Sequence, residues 1–346
     1  MVGRSEPLIP GLPDDIAEHC LVHLPYPYQT QARCVSVSWN KALTNPNFIL
    51  SRKTLPFVFT FAVQKSTAKI QWQAFDPRSN RWIVIPPMPC PKSVSPLGFS
   101  CVALGRTLYV LGGLRSDSEA PLCTVMTFNT GTNKWLSAEP MLTPRSFFSA
   151  GVIGEKVVVM CGVELDNVTV ECYDTKNNSW SYLAKMSGWL DKYDAAVVGD
   201  KMYVTEGWTW PFSFYPRGGV YDAKSDTWDE MSVGMKEGWT GMSVVLNDKL
   251  FVISEHGDHL MKVYVPDGDK WDFVSGRRFP CEVVQKPFTV SAAEGRIFVV
   301  SSGLDVAIGS VFKDEKSSVL RVEWEVVKGP KAFEDYVPHH SQVVYG

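Results

Sequence analysis

The chain has 346 residues, with 34 Lys and Arg against 37 Asp and Glu and a formal net charge of −3. The charges are dispersed and form no basic stripe, which argues against a nucleic-acid or membrane-surface partner. The length suits one large domain plus a small one, and a chain of this size buries roughly three quarters of its unfolded surface, so its core needs neither disulfides nor metals.

The first element is helical. Leu12-Pro13-Asp14-Asp15 opens it, because Pro and Asp in a first turn suit the unpaired N–H groups and the positive end of the helix dipole. Ile16, Cys20, Leu21 and Leu24 then fall on one face. Pro25 and Pro27 end this helix; a second apolar face runs through Ala32, Val35, Trp39, Ala42 and Leu43 until Asn45-Pro46 breaks it. About forty residues make a marginal core. Both helices carry more apolar surface than such a core hides, so burial against a partner is expected. The alternative is a helical cap packed on the rest of the chain.

The remainder is repetitive. Trp82, Trp135, Trp180, Trp228, Trp271 and Trp324 recur at intervals of 53, 45, 48, 43 and 53 residues, the spacing of propeller blades or solenoid units. Seven residues before the first five stand Phe75, Phe128, Tyr173, Tyr221 and Tyr264; Ser317 breaks the rule at the sixth. The polar residues between each aromatic and its Trp, such as Asp174-Thr175-Lys176-Asn177-Asn178, predict a hairpin turn. Upstream lies a second hairpin, turning at Gly105-Arg106, Gly154-Glu155-Lys156, Gly199-Asp200-Lys201, Asn247-Asp248-Lys249 and Glu294-Gly295-Arg296. Two hairpins per unit make a four-stranded blade, A-B-C-D. Five complete units start near 99, 148, 194, 242 and 288. The segment from Phe57 to Trp82 lacks a strand A, and the tail from His340 to Gly346 has the pattern of one, so the two ends are expected to form the sixth blade together.

Gly112-Gly113 after strand B, with Tyr or Phe and then Trp downstream, resembles the kelch repeat, although the pair becomes Cys161-Gly162, Glu206-Gly207, Ser254-Glu255 and Ser301-Ser302 in later units. The run Leu12-Pro13-Asp14-Asp15-Ile16, Leu24-Pro25, Val35-Ser36, Trp39 and Phe48 resembles an F-box; Val37 stands where that family often carries a basic residue. The pairing is most similar to the plant F-box/kelch-repeat family. The expected fold is therefore mainly β, a six-bladed kelch β-propeller over 54–346 with a small N-terminal helical F-box domain over 1–53, its core at 8–50.

The resemblance implies a non-catalytic receptor subunit of a ubiquitin ligase, without a cofactor. Leu12, Pro13, Ile16, Leu24, Pro25, Val35 and Trp39 would bind a Skp-type adaptor attached to a cullin, and the propeller a protein substrate. In kelch propellers the B–C and D–A loops share the face most used for ligands. On it the expected docking residues are Arg115 of the first blade, Trp189 and Trp239 of D–A loops, and Trp208, Trp210, Phe212, Tyr215 and Arg217 of the third blade's B–C loop. Aromatic residues with Arg are the usual makeup of an interface hot spot. Alternation of Trp208, Trp210, Phe212 and Phe214 equally fits a longer strand packed on the next blade.

Other chemistry is thin. His256 and His259 have no third ligand of matched spacing, and His339-His340 suits packing or surface better than ligation. The His, Tyr and Tyr–Cys set of kelch-like copper oxidases cannot be assembled. Ser225-Asp226-Thr227-Trp228 resembles a sialidase Asp-box only faintly, and Gly218-Gly219 lacks the basic residue and strand–loop–helix setting of a phosphate loop. A propeller enzyme and a kelch scaffold outside any ligase stand as the other readings. The eight cysteines, Cys20, Cys34, Cys90, Cys101, Cys123, Cys161, Cys172 and Cys281, show no C-x-x-C pair, and the start of the chain has no apolar signal-peptide stretch. The longest nearly apolar run, Leu55 to Val63, is too short to span a bilayer. Reduced thiols in a cytoplasmic or nuclear protein are expected.

Overall fold

The computed structural model describes residues 7–51, 54–89, 97–162, 169–186, 194–207, 215–254, 261–314 and 319–346. Six antiparallel sheets of four strands each form a ring, one of them extended by a two-residue strand, Ser275–Gly276, that pairs parallel on its outer edge. Blades are numbered one to six from Phe99, with strand A innermost. The A strands are Phe99–Leu104, Ser149–Ile153, Asp194–Val198, Gly241–Leu246, Thr289–Ala293 and Tyr336–Tyr345. Together they enclose a channel of about 310 Å³ lined by small and β-branched side chains such as Ala150, Gly151, Ala195 and Val290.

The two ends of the chain close the ring. Strand A of blade six pairs with strand B, Pro56–Gln64, from Pro56↔Tyr345 to Gln64↔Tyr336, with a bulge between Phe61 and Ala62. Gly346 and Leu55 exchange backbone hydrogen bonds beyond the strand ends. The closing strand starts at Tyr336, earlier than the sequence pattern indicates, because the bulge absorbs the change of register.

The Trp repeat has a structural cause. Phe75, Phe128, Tyr173, Tyr221 and Tyr264 each lie opposite their Trp across the C–D hairpin. Each hairpin turns through a left-handed residue, namely Asn80, Asn133, Asn178, Asp226 or Asp269, types that tolerate this conformation. Four indoles donate to the connection leaving the preceding blade: Trp135 to Pro86, Trp180 to Glu139, Trp228 to Ala184, and Trp271 to Gly234 and Met235. The repeat thus staples one blade to the next.

Blade five departs from the pattern for a steric reason. Its C and D strands, Val306–Lys313 and Leu320–Val327, are longer, so the residue opposite Trp324 is Gly309. A Cβ at Gly309 would come within 2.8 Å of the Trp324 ring. Phe279, from the connection entering the blade, meets that indole edge-to-face at 5.1 Å. Ser317, the residue at the seven-residue spacing, lies outside the described residues. At the end of strand B in blade one, Gly112 has φ +61°, and a Cβ there would stand 2.5 Å from the Arg145 carbonyl. Cys161 takes the same left-handed position in blade two with φ 67°, so the geometry outlasts the loss of the glycine.

Among the described residues the N-terminal unit holds four helices, where two apolar faces were expected: α1 Asp14–Val22, α2 Tyr28–Ala32, α3 Val37–Thr44 and α4 Pro46–Ser51. Ser36 caps α3 through Trp39 N. Its core is Leu21, Ala32, Leu43 and Phe48. In α1 the buried residues are Ala17 and Leu21, while Ile16 and Cys20 point outward, so the apolar face read from the sequence is divided between the unit's core and its surface. The unit rests on the face of the ring formed by A–B and C–D turns. Tyr26 and Arg33 both reach the C–D turn of blade one, at Asn133 and Thr132. Strands alternate in direction, so the B–C and D–A loops open on the opposite face.

Candidate functional site

Two surfaces stand out, one on each side of the ring. On the helical unit Leu12, Ile16 and Val35 are 39%, 48% and 63% exposed, and Pro13 is exposed beside them in sequence. Val37, at the position of the expected basic residue, is 73% exposed. So much apolar surface on so small a core calls for a covering partner. Leu24, Pro25 and Trp39 are half-buried. Leu24 and Trp39 pack against the unit's core, and the Trp39 indole donates to the Leu8 carbonyl. Of the seven expected adaptor residues, four therefore face outward, and Leu24 and Trp39 also hold the helices together.

The opposite face is built from loops. Arg115 pairs with Asp117 through Nε–Oδ1 at 2.9 Å and Nη2–Oδ2 at 2.8 Å, inside a tight B–C loop closed by a Leu114↔Pro121 bridge. Arg217 makes a matching fork onto Glu206, 2.9 and 2.8 Å, across the base of blade three's B–C loop. Both guanidinium groups remain accessible, but each is already held by a carboxylate, so each loop base is stiffened. Tyr215 is 72% exposed. Trp189, Trp208, Trp210 and Phe212 lie outside the described residues, as do Phe214, His256 and His259.

Trp239 does not belong to this surface. It is fully buried among Met231, Met235, Leu250 and Val252. The D–A connection from blade three to blade four folds into a short helix, α5 Val233–Gly238, and delivers the indole inward. Its Nε1 donates to Asp194 Oδ2 at 3.0 Å, and Ser243 N donates to the same oxygen at 2.7 Å. Burial pushes the Asp194 carboxyl above the ordinary carboxylate range, against the pull of these donors. Trp239 is thus a joint between blades three and four.

Sequence reasoning missed Phe147. It is 60% exposed with φ 51°, a conformation that bulky residues rarely adopt. Its N–H donates to the Gly98 carbonyl at 2.7 Å. Leu97 and Leu142, both nearly half exposed, lie in the connections that enter blades one and two. The doublet Phe147-Phe148 was the available signal, since Phe148 is fully buried and leaves its neighbour outside. Beneath them Arg145 and Glu171 form a fully buried ion pair at 2.7 Å. Arg145 also donates to the Cys161 carbonyl and to Thr169, and Leu142 N donates to Glu171 Oε2.

The chemistry considered from the sequence finds structural explanations. The His340 ring packs 4.5 Å from Phe99, and burial lowers the pKa of His339. Ser225 to Trp228 form the end of blade three's C–D turn and the start of its strand D. Gly218-Gly219 open strand C of that blade, where added Cβ atoms would meet Met231 at 2.9 Å and Trp228 at 3.1 Å. Among the described residues no group of three or more His, Cys, Asp or Glu is placed to hold a metal ion.

Comparison with known proteins agrees with this division. Residues 9–51 match the F-box domain, and residues 58–323 match the FKB95, Kelch-repeats domain. The chain is 47% identical to the F-box protein AFR of Arabidopsis thaliana, over 99% of this chain and 94% of that one. It is 39% identical to the F-box/kelch-repeat protein At1g30090 of the same plant, over 99% of this chain and 88% of its relative. A helical unit with an uncovered apolar face, mounted on a six-bladed ring and matching these proteins along nearly its whole length, belongs to the F-box/kelch-repeat family.

Proposed function

We propose that this chain is the substrate-receptor subunit of a Skp–cullin–F-box ubiquitin ligase. The observation that carries the reading is the uncovered apolar surface of the F-box, Leu12, Ile16 and Val35, on the far side of the ring from the loop face. The F-box takes the Skp-type adaptor, and through it the cullin. The B–C and D–A loops take a protein substrate, with Phe147, Leu97 and Tyr215 as accessible anchors between the paired Arg115 and Arg217. The protein then works by positioning, raising the effective concentration of substrate at a ubiquitin-charged enzyme held elsewhere in the assembly. Cys20, Cys34, Cys123, Cys172 and Cys281 carry free thiols, in keeping with the reducing cytoplasm or nucleus.

The test is substrate trapping. The full chain carrying Leu12→Ala and Pro13→Ala is expressed in plant cells with a proximity-labelling enzyme fused to it. A substrate should accumulate on this variant and turn over on the parent. Equal levels of every captured protein on both would favour a kelch scaffold outside any ligase.

A further inference from the structure

Tyr26 sits between α1 and α2 of the F-box, yet its side chain belongs to the propeller core. It is 2% exposed and packs in the cluster that holds Phe57, Phe59, Phe128 and Val344. Its ring stands 5.4 Å from Phe57, edge-on, and 6.0 Å from Phe59. Gly346 closes the pocket, since a Cβ there would come 2.8 Å from the Tyr26 Cβ. The hydroxyl donates to Asn133 Oδ1 at 3.0 Å, and Arg33 Nη1 donates to the Thr132 carbonyl on the same turn at 3.4 Å. Burial pushes the phenol well above its ordinary value, so it stays a donor.

The acceptor is vacant for a reason written in the repeat. In blades two, three and four the residues equivalent to Asn133 are Asn178, Asp226 and Asp269. Each accepts the hydroxyl of its own blade's Tyr: Tyr173, Tyr221 or Tyr264. Each also accepts a backbone N–H from the connection leaving the preceding blade: Glu139, Ala184 or Gly234. Blade one lacks both donors. Phe128 replaces the Tyr, and Pro86 stands where Glu139 and Ala184 stand, its carbonyl taking the Trp135 indole as theirs take Trp180 and Trp228. Proline has no N–H to give. A Tyr from the F-box fills the place that the propeller leaves open.

We propose that Tyr26 is a positioning residue that locks the F-box to the junction of blades six and one, so that the adaptor-bound end and the loop face are held at one separation. What is being positioned rests on the ligase reading above; the lock itself does not. A substrate receptor needs such a mount, because ubiquitin transfer falls off when the target wanders from the charged enzyme.

The experiment measures the separation directly. Spin labels are placed at Lys41→Cys on α3 and Lys176→Cys on the C–D turn of blade two, with Cys20, Cys34, Cys90, Cys123 and Cys281 replaced by Ser. The parent should give one narrow distance by pulsed electron resonance. Tyr26→Ala should broaden it at least twofold, and Tyr26→Phe, which keeps the ring and loses only the bond to Asn133, should broaden it by less. An unchanged narrow distance in Tyr26→Ala overturns the proposal. If that variant does not fold, Asn133→Gly with Arg33→Ala keeps the turn's left-handed backbone and the ring packing while deleting both polar contacts; broadening supports the lock and its absence overturns it. Titration with a purified Skp-type adaptor separates the two readings. Affinity within twofold of the parent in Tyr26→Ala places its role in mounting, whereas a tenfold loss at an unchanged distance overturns that role. Failure of the parent itself to bind would sink the ligase reading and leave the distances to decide the lock.

Discussion

Replacing Glu171 by Leu should destabilise the propeller sharply, and the structure supplies the reason. Arg145 and Glu171 are both fully buried, 2.7 Å apart, and their remaining hydrogen bonds run to Cys161, Thr169 and Leu142. Removing the carboxylate strands a guanidinium in the interior and leaves Leu142 N without its acceptor. Breaking one side of such a pair costs about 3–5 kcal/mol. For 346 residues at about 2 cal/mol/K of unfolding entropy per residue, that is a melting temperature lower by about 4–7 °C. Arg145→Met with Glu171→Leu should recover part of the loss, because an uncharged pair needs no solvation, and the shortfall measures the orphaned backbone groups. Calorimetric melting of the four chains completes the double-mutant cycle. If Glu171→Leu melts within about 1 °C of the parent, the pair is not the buried anchor described. The consequence reaches function, since Arg145 N and O are bonded to Leu122 and Gly113 and the same connection carries Phe147.

Three further outcomes are expected. Deleting residues 336–346 removes the whole closing strand and exposes two sheet edges, so the product should be insoluble or melt without a cooperative transition; normal melting would refute ring closure. Trp239→Ala should cost about 3–5 kcal/mol by denaturant unfolding, as a buried indole does, where a surface docking residue would shift stability by less than about 0.5 kcal/mol. Phe147→Gly relieves a left-handed backbone and should leave melting unchanged or raise it by the equivalent of about 1 kcal/mol; a clear loss of stability would show the side chain to be packed.

The blades were legible in the sequence because their period is enforced by a contact. Each aromatic faces its Trp across a hairpin of fixed length, which produces the seven-residue spacing, and the spacing fails in blade five where longer strands move the facing residue to Gly309. The face of α1 was legible only in part. Ile16 was expected to stay available to a partner and it lies outside, but the apolar pattern did not tell that Leu21 turns into the core beside the small Ala17, which the pattern passed over. Trp239 falls outside the repeat and so read as a loop aromatic; only the turn of α5 and the acceptor on Asp194 take it into the interior. The strain at Phe147 and the donor missing at Asn133 depend on backbone conformation and on neighbouring blades, which a linear pattern does not contain.

The most direct test of the account is calorimetric titration of a purified Skp-type adaptor into the full chain and into Leu12→Ala with Pro13→Ala. The intact chain should bind one adaptor, and the double variant should show no measurable heat while its propeller melts at the parent's temperature. Binding of the variant at the parent's affinity would contradict the assignment of this surface to the adaptor.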